Sequence, residues 1–294
     1  MTCRLARLVL TVLMLATSLA STAFSADKLK ALIVDGQNNH NWPATTPLLK
    51  LALEECGKFE VEVATSPASG QDQADFAPKF SDYDVVVSNY NGDLWSAATQ
   101  RALVDYVRAG GGLVVVHAAN NSFPQWPEYN DMIGLGWRDA NFGDRITYDD
   151  EGQPVRTPKG EGPGAGHGSQ HPFVVKVRDA EHPVTQGMPA EWLHVSDELY
   201  HGQRGPAQNM RILATAFATK ESGGTGTHEP MIWDIPYGKG RVLTTVMGHS
   251  PESMKCIGFI VTLQRGAEYA ATGKVADDKL PENFPSKEET QTRE

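Results

Sequence analysis

The sequence predicts a doubly wound α/β fold, a mostly parallel sheet with helices on both faces. Two observations carry this. Nearly continuous apolar runs of strand length, such as "DYDVVVSNY" (82–90) and "LVVVHAA" (113–119), have the pattern of strands buried on both sides. Between them lie stretches with helix start and stop signals, such as "SAATQRALVDYVRAGGG" (96–112), where Ser96 is the cap and Gly110 to Gly112 the stop.

The elements follow in order. Residues 28–35 read as a first strand bounded by polar turn residues. "ATTPLLKLALEEC" (44–56) has apolar residues at helical spacing, with Thr45 or Thr46 as cap and Pro47 in the first turn. "FEVEVATS" (59–66) alternates and is a second strand. Residues 150–170, rich in Gly and Pro, read as a loop, and one this long is a candidate lid. "HPFVVKVRD" (171–179), "MRILATAFAT" (210–219), "PMIWDIP" (230–236) and "GRVLTTVMGH" (240–249) supply four more strands, the last two joined by the turn "YGKG". A final helix spans 250–270, with Ser250 as cap and Pro251 behind it. There is no internal repeat and no second core, so residues 26–270 form one domain. Residues 271–294 are a polar extension, expected to be extended or partly disordered.

Residues 1–25 read as an export signal: Arg4 and Arg7, an apolar stretch from Leu8 to Leu19, and a small-x-small site at Ala23-Phe24-Ser25. The protein is therefore expected to be exported, periplasmic or extracellular, with no membrane association after cleavage. Loss of two arginines and no acidic residue takes the formal net charge from −10 to −12. That charge, with no basic cluster, argues against nucleic acid as a partner. No nucleotide cofactor is expected. Cys56 and Cys256 remain after cleavage, and an oxidising compartment leaves two alternatives, a disulfide or two buried thiols.

Ligands of open α/β sheets bind beyond the carboxyl ends of the strands. Here those ends are unusually polar. The first strand is followed by Asn38, Asn39, His40, Asn41 and Trp42, the third by Asn89, Tyr90, Asn91 and Asp93, the fourth by His117, Asn120 and Asn121, and the last by His249 and Ser250. Turn chemistry explains asparagines, but it does not require histidine and tryptophan beside them.

"NNHNWPATTPLL", "GGGLVVVHAANNSF", "DELYH" and "YGKGRVLTTVMGHS", in this order and spacing, resemble the ThuA-like (trehalose utilisation) family over roughly residues 28–285. The resemblance implies a flavodoxin-like sheet similar to that of class I glutamine amidotransferases. It also implies a place in carbohydrate metabolism, often with disaccharides or their oxidised forms. Amidotransferases carry a cysteine nucleophile at a sharp strand-end turn; the matching strand end here carries His117. Cys56 and Cys256 both read as helical. Without a thiolate at that turn there is no acyl-enzyme route, and without a GxSxG elbow there is no serine nucleophile.

His117, His249 and Glu198 are candidates for one site, as ligands of a divalent metal (zinc, manganese or iron) or as acid/base groups, with His40 and His201 as further ligands or bases. Glu198 with Asp93 or Asp197 is a candidate carboxylate pair. His40, Asn41, Asn91, Asn120 and His201 are candidates to hold sugar hydroxyls. Trp42, Trp126 and Tyr200 are candidates to stack on a pyranose ring, whereas Trp233 reads as core. His171 and His182 precede prolines and read as turn or strand-start residues, His167 as solvated, and His194 as structural. The leading reading is an exported enzyme that performs hydrolase, lyase or isomerase chemistry on a disaccharide or keto-sugar. The alternative is a non-catalytic carbohydrate-binding module of an exported sugar-degradation system. The clustered titratable groups favour the enzyme.

Overall fold

The computed structural model describes residues 27–277 and 279–294; the expected export signal lies outside the described residues. The elements are β1 (Leu29–Asp35), α1 (Trp42–Glu55), β2 (Phe59–Thr65), β3 (Val85–Ser88), α2 (Ala97–Ala109), β4 (Gly112–Val116), α3 (Pro127–Ile133), β5 (Arg145–Tyr148), β6 (Pro154–Thr157), β7 (Gly166–His167), β8 (His171–Val177), β9 (Glu191–Asp197), β10 (Tyr200–His201), β11 (Arg211–Ala218), β12 (Thr227–Tyr237), β13 (Gly240–Thr245), α4 (Pro251–Met254) and α5 (Ile257–Thr272). The main sheet runs β2-β1-β3-β4-β13-β12-β11-β8-β9. From β2 to β13 every pair is parallel, and the order 2-1-3-4 is that of a flavodoxin-type sheet. From β13 to β9 every pair is antiparallel, so the doubly wound half continues into a meander-like wing. The β5–β6 hairpin branches from β12, and β7 pairs with β10 in a small separate ladder.

Strand alternation sorts the core into two layers. Ile33, Val87 and Val114 face α1 and α5, where they join Leu49, Leu53, Phe259 and Leu263. Leu32, Val34, Val86 and Val115 face the other way and meet Leu103, Val107, Tyr129 and Met132 of α2 and α3. Each such aliphatic side chain contributes about 1.5–3 kcal/mol on full burial. Among the described residues no helix is long and apolar enough to cross a membrane.

The predicted elements recur with informative differences. Ser96 caps α2 as expected, its Oγ accepting from Thr99 N at 3.2 Å. α1, however, starts at Trp42 and not at Thr45 or Thr46. The two threonines are buried, and their hydroxyls accept from Asn89 Nδ2 at 3.1 and 3.0 Å, which ties the helix to the end of β3. The expected single final helix is two: Ser250 and Ser253 cap α4 reciprocally, the chain breaks at Cys256, and α5 begins. The 150–170 stretch contains β6 and β7. Cys56 and Cys256 are free thiols.

The C-terminal extension is packed. Ser286 O accepts from Leu193 N at 2.7 Å on the outer strand β9, and Gln291 O accepts from Ile257 N at 2.9 Å at the α4–α5 break. Phe284 lies against Trp192, and Arg293 pairs with Glu55 at 2.8 Å. A polar composition conceals this strap because one half-buried aromatic, Phe284, and a few backbone bonds suffice to hold it.

Candidate metal centre at the carboxyl edge

His117 follows β4 directly, at φ 46°. A left-handed backbone at a residue with a Cβ costs about 1–2 kcal/mol and bends the chain sharply. The turn places the imidazole at the carboxyl edge, where Nδ1 lies 2.7 Å from Val246 O beyond β13. A carbonyl only accepts, so Nδ1 carries a proton, and in the neutral ring the lone pair is on Nε2. His40 comes from the loop after β1, where Asn38 accepts from His40 N at 3.0 Å and donates to Asn89 O at 3.1 Å. His249 follows β13 and Glu198 follows β9.

One donor atom from each of His40, His117, Glu198 and His249 lies within 4.8 Å of all the others. His117 Nε2 is 3.5 Å and His249 Nδ1 3.0 Å from Glu198 Oε2. Neither contact has the angles of a hydrogen bond, so these three buried atoms have no hydrogen-bond partner. Ligand atoms of a tetrahedral zinc site, bound at about 2.0–2.1 Å, stand about 3.3 Å apart, and the two spacings to Glu198 Oε2 bracket that value. The orphaned atoms and the all-nitrogen-and-oxygen donor set therefore fit a divalent transition metal.

The charges of His40 and Glu198 suit ligation as well, whereas His249 would have to give up a proton that Glu198 helps it hold. Burial, and after it the neighbouring His117 and His249, push the His40 pKa down to about 4, so His40 is neutral near pH 7. Burial opposes ionisation of Glu198, but His117 and His249 outweigh it and hold its carboxyl well below the usual range. Glu198 beside it raises His249. Behind the cluster Asp197 is buried against His194, at 2.8 Å from Nε2. Burial works against a charged His194, but Cys256 and Asp197 outweigh it and push the pKa up to about 9.

The surroundings sort the predicted residues. Tyr200 is buried with its ring 4.3 Å from that of His117 and its hydroxyl 3.5 Å from His40 Nε2, so it walls the site and offers no free face to a sugar. Asn91 donates to Asn39 Oδ1 at 2.6 Å, Asn41 is exposed at the start of α1, and Trp42 opens that helix, partly buried. Asn120 is not a substrate group: it is fully buried and donates to Gln203 Oε1 at 2.5 Å. His201 is not in the cluster either. Tyr200 takes the site-facing position of β10, and alternation sends His201 toward Glu229 and Arg145. Trp126 is core, stacked on Tyr129. The proposed carboxylate pairs fail, because Asp93 accepts from Gly70 N at 2.6 Å and Asp197 is saturated by its own hydrogen bonds.

His167, read from its Gly-rich context as solvated, joins the site with Nε2 3.5 Å from Glu198 Oε1. Gln170 Nε2 lies 3.1 Å from His249 Nε2, and Trp137 packs edge-on against Tyr200 at 4.7 Å. The contacts of His167 and Gln170 follow from the path of the 158–170 loop, which buried Arg204 pins by donating to the carbonyls of Pro158, Glu161 and Pro163. An arginine 41 to 46 residues away in sequence leaves no local signal of such a tether.

Sheet order and site together define an α/β protein of the flavodoxin-like, amidotransferase-like class, with histidine at the strand-end turn. The chain belongs to the ThuA family, described as trehalose utilisation, whose model matches residues 30–270. It is similar to the crystal structure of a ThuA-like protein from Parabacteroides merdae, at 43% identity and TM-score 0.87, over 91% of this chain and 98% of that one. A ThuA-like protein from Bacteroides uniformis shares the fold at 20% identity and TM-score 0.55, over 86% and 94% of the two chains. No curated protein matches the chain.

Proposed function

We propose that this chain is an exported, metal-dependent enzyme of carbohydrate metabolism that acts on a disaccharide or keto-sugar by hydrolase, lyase or isomerase chemistry. The observation that carries the proposal is the convergence of His40, His117, Glu198 and His249, with the facing atoms of the last three unpaired. A metal accounts for those atoms; a pure binding module has no use for them. Zinc, manganese or iron suits imidazole and carboxylate donors. Bound there, it would supply Lewis acidity toward a carbonyl or hydroxyl oxygen. The chain's own groups do the rest. The Val246 carbonyl fixes the tautomer of His117, Gln170 orients His249, and burial keeps His40 neutral. The amides of Asn39 and Asn91 at the exposed rim are suited to hydroxyl groups. The family description supports the sugar assignment, and the basic, apolar and small-residue order of residues 1–25 supports export.

The test is the metal content of the purified mature protein beside His117→Ala. Near-stoichiometric metal in the parent, lost in a variant with unchanged circular dichroism, is the expected result. A parent that stays metal-free after incubation with excess zinc, manganese and iron would overturn the metal assignment and favour carbohydrate binding without turnover.

A further inference from the structure

We infer that Asp197 is the positioning residue of this centre: one buried carboxylate sets the distance between Glu198 and His249, which arrive from different elements. The inference rests on the metal reading above and concerns how the site is built. Asp197 is 1% exposed and ends β9. Its Oδ1 accepts from Glu198 N at 2.9 Å and from His249 N at 3.1 Å. Its Oδ2 accepts from Gly248 N at 2.8 Å and lies 2.8 Å from His194 Nε2. The backbones of two candidate ligands, 51 residues from each other along the chain, are thus clamped to a single oxygen. His194, fully buried, holds the carboxylate in that rotamer. Gly248 completes the clamp: at φ 103° it turns the chain so that its own N–H and that of His249 both point at Asp197. Nothing in this arrangement touches the space between the four donors, so Asp197 acts through Glu198 and His249.

The chemistry of substitution makes the inference specific. In Asp197→Asn the amide oxygen can keep Glu198 N and His249 N. Its NH2 then faces the Gly248 N–H, two donors without an acceptor, while His194, no longer held charged by a carboxylate, can adapt by giving up its Nε2 proton. The clamp is weakened on one side and the fold is otherwise retained. Changes behind metal ligands typically cost about 10- to 100-fold in affinity, and that is the loss expected here.

The experiment is a cobalt(II) titration of the metal-free proteins followed by visible absorption, with circular dichroism and thermal midpoints measured on the same samples. The parent, Asp197→Asn, His194→Gln and Glu198→Gln are compared. The expected result is tight binding by the parent, near-abolition in Glu198→Gln, and about 10- to 100-fold weaker binding with shifted bands in folded Asp197→Asn. A purely structural role would lower the thermal midpoint while leaving the affinity and band positions of the folded protein as in the parent, and that outcome overturns the inference while the metal reading stands. A parent that binds no cobalt overturns both. If Asp197→Asn does not fold, His194→Gln decides: weaker binding supports the clamp and parent-like binding refutes it.

Discussion

Glu229→Ala offers a test of the physics that holds the site's back wall. Glu229 is fully buried and Arg145 is 6% exposed, and the two form an ion pair. Glu229 also accepts from Thr225 Oγ1 at 2.6 Å, Thr227 Oγ1 at 3.1 Å and Gly202 N at 3.1 Å, which anchors the turn after β10. Truncation leaves a buried guanidinium whose remaining hydrogen-bond partner among the described residues is Thr227 Oγ1 at 2.9 Å. Breaking a buried pair on one side costs about 3–5 kcal/mol. At about 2–4 °C per kcal/mol for a chain of this size, the thermal midpoint should fall by roughly 10 °C. The double variant Arg145→Met/Glu229→Leu removes both charges and leaves mainly Gly202 N unpaired, so its cost should be about 1–3 kcal/mol. Guanidinium unfolding followed by far-ultraviolet circular dichroism measures all three proteins, with equal slopes required for comparison. A single variant within about 1 kcal/mol of the parent, or a double variant no more stable than the single, would refute the reasoning.

Two further outcomes are expected. Gly36→Ala should lose about 2–5 kcal/mol, because φ is 110° and an added Cβ would meet Ser66 O at 2.5 Å, and it should weaken metal uptake through the adjoining His40 loop; parent-like unfolding and uptake would contradict this. Trp126→Ala should cost about 3–5 kcal/mol as a core truncation while metal content per folded molecule stays at the parent's value; loss of metal without loss of stability would return Trp126 to the site.

The parallel half of the fold was legible because continuous runs such as Leu113–Val116 have few alternative readings. Three of the four cluster residues stood at strand ends or just beyond them, where an open sheet places its ligands, and the fourth, Glu198, lay in the short "DELYH" segment. What escaped was whatever depends on direction or on distant tethers. Tyr200 and His201 look equally suited in sequence, and only the pairing of β10 with β7 decides which one faces inward. Asn120 reads like Asn91, yet one is sealed beneath Gln203 and the other stands at the rim. His167 required the 158–170 loop to fold back, a path set by Arg204.

The strap formed by residues 284–293 bears on how copies of the molecule meet. An unprotected outer strand is an open template for a neighbour's backbone. On β9 the amide of Leu193 is already bonded to Ser286 O, and Lys287 lies 2.6 Å from Glu191 at the strand's start. The extension therefore covers part of this outer strand from within the chain, occupying a backbone donor that an edge otherwise leaves open to a neighbour.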